Sequence, residues 1–136
     1  MILRWIPLKS VGPFNFGSLI QKYYGKFCLK YIPDEYNEKV GWDVYGISDE
    51  DIRIYFEEGK IEAVSCGINC IYNDMNMIGM KAEELISILG DKPDTVETEE
   101  LSDGLHEVYD FDNLGLQIWT KKGIVVTAIC SGYCDE

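Results

Sequence analysis

Apolar and polar residues alternate most regularly at Ile52, Ile54 and Phe56, with Arg53, Tyr55 and Glu57 between them. A period of two marks a half-buried strand, so Ile52, Ile54 and Phe56 are expected to face a core. Glu58 and Gly59 then read as a turn, Gly59 supplying the positive φ it needs, and Ile61 to Cys66 as an antiparallel return. A two-residue loop places Ile61 and Ala63 on the apolar face and Glu62 and Val64 beside Tyr55. A three-residue loop with a bulge exchanges those faces, and the pattern alone leaves both open. The grammar returns at Leu116 to Thr120 and Ile124 to Ile129, around Lys122 and Gly123. That return strand is apolar at nearly every position, which predicts deeper burial.

Helical spacing occurs twice. Met1 to Val11 reads as a strand leading to a turn at Gly12 and Pro13. After it, Asn15 or Ser18 can cap a short helix carrying Leu19, Ile20, Tyr23 and Tyr24, with Gly25 as its stop. Glu83 to Leu89 predicts a stronger helix, with acidic residues in its first turn, Gly90 as its stop and Pro93 beyond. Polar connections follow each helix, Asp34 to Lys39 and Asp91 to Gly104. The second, rich in Asp, Glu and Thr, is expected to be mobile.

Laying Gly41 to Cys70 over Leu105 to Cys134, a shift of 64 residues, matches Val44, Tyr45, Ile54, Gly59, Cys66 and Cys70 with identical residues. Self-similarity at a fixed spacing points to duplicated units sharing a core, against the alternative of two unrelated hairpins. The expectation is therefore an α+β fold, residues 1–136 as a single domain. It would be an antiparallel sheet with helices packed on one face, built from two tandem helix-plus-β-hairpin repeats, about 1–70 and about 71–136. The other face would be partly open to solvent or a partner.

Charge changes the picture more than composition does: 24 acidic residues oppose 12 basic ones, a formal net charge of −12. Nucleic acid and anionic membranes are disfavoured as partners by repulsion, and a basic protein is favoured; acidity kept for solubility alone is the bland alternative. No stretch reaches the roughly 18 apolar residues that span a bilayer. The N-terminus lacks the long apolar run and cleavage site of a secretory signal, and five cysteines, an odd number, suggest reduced thiols. A cytoplasmic location is expected.

Little in the chain argues for catalysis. His106 is the one histidine and fits packing better than base chemistry; no glycine pattern makes a phosphate loop, and Asp49, Glu50 and Asp51 lack calcium-loop spacing. Cys66 and Cys70 share their spacing with Cys130 and Cys134. Four thiolates around zinc, a disulfide and buried idle thiols are all compatible with it, and reduced, metal-free cysteines without a cofactor are the expectation. Aromatic residues offer more. If Ile54 faces inward, Tyr55 and its counterpart Trp119 face outward, and Tyr45 and Tyr109 are candidates to join them. Set among Asp43, Glu57, Glu62, Asp110 and Asp112, they have the composition of a protein-binding surface that attracts cations, with a second covered apolar layer as the alternative.

The run Ser10, Val11, Gly12, Pro13, Phe14, Asn15, Phe16, Gly17 resembles an SVGP-x-x-FG opening of small bacterial proteins, and Gly79, Met80, Glu83, Glu84, Leu85, Leu89 and Gly90 resemble the family's helix ending in Leu-Gly. Some members of that family are encoded beside polymorphic or contact-dependent growth-inhibition toxins and act as their immunity proteins. The plan is also similar to the β-lactamase inhibitor protein fold, whose concave sheet face receives the partner. Tyr24 and Gly25 depart from the Leu-Gly ending. The resemblance implies a non-enzymatic protein, monomeric alone and heterodimeric with a cognate basic toxin domain, for which a nuclease is the expected class. The alternatives are a self-associating assembly module and a small-ligand sensor.

Overall fold

Thirteen strands and one α-helix form among residues 1–33 and 42–132, the residues that the computed structural model describes. Strands β1 (Trp5–Ile6), β2 (Ser10–Val11) and β3 (Phe14–Asn15) make a small sheet, and β8 (Ile71–Tyr72) pairs with β9 (Met75–Asn76). The remaining strands are β4 (Lys30–Tyr31), β5 (Trp42–Ile47), β6 (Ile52–Glu57), β7 (Lys60–Cys66), β10 (Thr95–Leu101), β11 (Gly104–Phe111), β12 (Leu116–Lys121) and β13 (Ile124–Ser131). They form one antiparallel sheet in the order β10-β11-β12-β13-β7-β6-β5-β4.

This architecture overturns the α+β expectation: the protein is mostly antiparallel sheet with a single α-helix among the described residues, not two helix-plus-hairpin repeats. The expected first helix is one 3-10 turn, Ile20–Lys22. Its surroundings explain the difference. Gly17 N–H donates to Ile61 O, Ile61 N–H to Ser18 O and Ile20 N–H to Gly59 O, so the segment's backbone groups are engaged by the start of β7 rather than by a helix of their own. The second helix, α1 (Ala82–Leu89), forms with Glu83 and Glu84 in its first turn and left-handed Gly90 closing it. The Asp91 to Gly104 connection, expected as a mobile loop, holds β10, the edge strand paired along its length with β11. The first strand breaks at Leu8, whose φ is +66°, into β1 and β2. Asp34 to Lys39 and Cys134 lie outside the described residues.

What the halves share is a three-stranded meander. Shifting β5–β6–β7 by 64 residues carries the 3-10 turn Ser48–Glu50 onto Asp112–Leu114 and Ile52–Glu57 onto Leu116–Lys121. The β6–β7 and β12–β13 turns are both two-residue loops with positive φ at both positions, Glu58–Gly59 (52° and 78°) and Lys122–Gly123 (54° and 78°). That is the turn whose twist matches paired strands. Each hairpin also carries a register shift at the equivalent place, Tyr55/Phe56 and Trp119/Thr120. A two-residue loop and a bulge thus occur together: Ile61 stays with Phe56, whereas Ala63 moves to the face of Tyr55 and Val64 to that of Ile54. The meanders join through β7 and β13, where Cys66 lies opposite Ala128 and Cys130 opposite Val64, symmetric about Ser65 and Ile129.

The core lies on one face of the large sheet. Ile54, Phe56, Val64, Cys66, Ile118, Ala128 and Cys130 are covered by Trp5, Val11 and Phe14 of the small sheet, by Met77 and by Leu85 of α1. Cys66, Cys70 and Cys130 are buried free thiols, Cys70 Sγ lying 3.8 Å from Cys130 Sγ, and Cys28 is exposed. Burial pushes the Cys130 thiol above its ordinary range.

Candidate functional site

Residues directly opposite one another in antiparallel strands share a face, so the pairing assigns the face away from the core. One row across it contains Val44, Tyr55, Ala63 and Ser131; the next contains Arg53, Ser65, Ile129, Gln117, Asp110 and Thr95; Trp119 lies in a third with Val108. The face is bent. One cleft of about 540 Å³ is lined by Trp42 and Val44 on β5 at one side and by Asp110 on β11 at the other, although β12, β13, β7 and β6 lie between β11 and β5. A flat sheet would hold such residues about 24 Å apart. Ala63, Ile129, Ser131 and Gly132 line it between the two sides, small residues for the most part where the curvature needs room.

Polar groups on this face are tied to one another. Trp42 Nε1–H donates to Glu57 Oε2 at 3.1 Å, and its ring centre lies 6.0 Å from that of Tyr55. On the opposite side Trp119 Nε1–H donates to Gln117 Oε1 (2.8 Å), Gln117 Nε2 to Asp110 Oδ1 (2.8 Å) and Thr95 Oγ1 to Asp110 Oδ2 (2.9 Å). Asp112 follows in the turn, its N–H donating to Asp94 Oδ2 at 2.7 Å. Burial, and then the Glu57 carboxylate, push the Glu62 carboxyl above its ordinary value, although Lys60 pulls the other way. Negative charge is dense enough on this side to be felt by its own members.

Six of the nine sequence-derived candidates, Tyr55, Glu57, Glu62, Asp110, Asp112 and Trp119, are brought to this face or its rim. Asp43, Tyr45 and Tyr109 are not. Tyr45 lies opposite Ile54, and Tyr109 opposite Ile118, so both point to the covered face, and Asp43 goes with them opposite Phe56. There Tyr45 packs edge-on against Phe56, Tyr31 donates to Asp43 Oδ1 (3.4 Å) and Tyr109 to Glu107 Oε2 (2.9 Å). Sequence reasoning missed Trp42 and Gln117. The alternation Trp42, Val44, Gly46 against Asp43, Tyr45, Ile47 carried the signal for Trp42, but the register to β6 was needed to read it. His106 is buried, with Nδ1 3.3 Å from Gly104 O, Nε2 3.7 Å from Asp103 Oδ2 and its ring edge-on to Trp119. That is a packing role.

Among the described residues no group of three His, Cys, Asp or Glu side chains has metal-holding geometry, and no helix is long and apolar enough to cross a membrane. Comparisons with protein-family models, curated proteins and solved structures gave no match.

Proposed function

We propose that this chain is a non-catalytic immunity protein of the bacterial cytosol that binds and neutralises a basic toxin domain, a nuclease being the class that its charge fits. The observation that carries the reading is the bent, aromatic sheet face whose cleft has Asp110 and Asp112 as its only charged lining residues among the described residues, in a chain of net charge −12. Opposite charge speeds encounter, and rigid aromatics that lose water on contact slow release. The seven-residue edge strand β10 carries Glu97, Glu99 and Glu100, which would repel a second copy and so speaks against self-association through that edge.

The test is calorimetric titration with the C-terminal domain of whatever large secreted protein is encoded immediately upstream, at low and at moderate salt. Nanomolar binding that weakens with salt is expected. Absence of binding at either salt concentration would refute the immunity reading.

A further inference from the structure

We propose that the cleft between the Trp42 and Tyr55 rings and the Asp110 and Asp112 carboxylates is a socket for one arginine side chain of a protein partner. The inference deepens the binding role above and rests on it for the identity of the partner, but not for the chemistry of the socket.

Three features select a guanidinium. Among the described residues, both charged groups lining the cleft are carboxylates, and neither forms an ion pair with a cation. Arg53, although on the same face, lines a separate depression with Lys30 and Asp51. The Asp110 carboxylate is also held in orientation: each oxygen accepts one hydrogen bond, from Gln117 and from Thr95, which leaves acceptor capacity on both. Two oxygens fixed side by side match the planar fork of arginine, whereas an ammonium would meet them as a point charge. Across the cleft, Trp42 and Tyr55 offer aromatic surface to a flat cation, and Trp42 is steadied by its bond to Glu57. A guanidinium sheds water more readily than an ammonium, so this half-apolar cleft favours it further. A volume of about 540 Å³ lies in the range of sites that enclose small ligands, ample for one such side chain.

The test needs no toxin. N-acetylarginine amide and N-acetyllysine amide are titrated separately into the full chain at fixed ionic strength, following the indole N–H resonances of Trp5, Trp42 and Trp119. Arginine amide is expected to move Trp42 saturably and to leave Trp5, inside the core, in place. Lysine amide should bind about fivefold more weakly, and Asp110→Asn should weaken the arginine probe about tenfold. Should Asp110→Asn not fold, Trp42→Leu takes its place, read on the side-chain amide of Gln117, with the same loss expected. No saturable movement of Trp42, equal binding of the two probes, or an unaffected variant would overturn the proposal. If the arginine probe binds but the upstream toxin domain does not, only the immunity reading falls. If the domain binds but the probe does not, the socket falls alone.

Discussion

Tyr45, on the six-residue strand β5, packs edge-on against Phe56 on the covered face of the sheet. The hydrogen bond to Tyr24, followed by burial and the nearby charge of Asp43, pushes its phenol up to about 12. The folded state therefore holds this proton more tightly than the unfolded chain does. Its contribution to stability is complete below the ordinary phenol value of about 10 and is lost as pH rises through about 12. Ultraviolet titration of tyrosinate should find late phenols in the native protein, Tyr45 and Tyr109, and the contribution of Tyr45 should be absent from Tyr45→Phe. A Tyr45 that ionises with the exposed tyrosines would contradict the Tyr24 contact and return the side chain to solvent.

At the scale of the element, the paired turns permit a controlled comparison. Gly59 and Gly123 share a φ of +78°, and a Cβ at either would meet nothing within 4 Å, so alanine there incurs only the backbone penalty. Each replacement should cost about 1 kcal/mol in urea unfolding, and the two costs should agree within a few tenths. Gly115 differs: its φ is +62°, and an added Cβ would come 2.4 Å from Ser131 O, a backbone atom that cannot swing away. Gly115→Ala should cost at least about 2 kcal/mol. Equal losses at all three would mean that β12 and the end of β13 are not so closely apposed. The same turns show what was legible in the sequence. Alternation around Ile54 and the glycine at Gly59 are local signals, and the β6–β7 hairpin and helix α1 could be read from them. The spacing of Ile20 and Tyr23 was equally visible, but Gly17, Ser18 and Ile20 at the start of the segment bond to Gly59 and Ile61, some 40 residues away, and those long-range bonds decided against a helix. Strand β10 was illegible for another reason: all seven residues are exposed, so neither face left an apolar imprint. The candidate site followed suit. Tyr55 and Trp119 could be placed by alternation within their own strands, whereas Tyr45, Tyr109 and Trp42 depended on the register between strands.

For the whole molecule, two ingredients of the proposed binding act over different distances. A net charge of −12 is felt beyond contact, over roughly the 10 Å screening length of dilute physiological salt, while Trp42, Tyr55 and Trp119 act only once water has left the face. The two should therefore separate in stopped-flow kinetics with the cognate basic domain. The association rate is expected to fall about tenfold between low and moderate salt, with the dissociation rate nearly constant. Trp119→Ala removes a half-buried ring bonded through Gln117 to Asp110, so it should raise the dissociation rate, and with it the dissociation constant, at least about tenfold while leaving the salt dependence of association intact. An unchanged dissociation constant would place Trp119 outside the interface. A dissociation rate that itself rises steeply with salt would instead put exposed ion pairs at the centre of the contact, and the aromatic face would lose the role assigned to it.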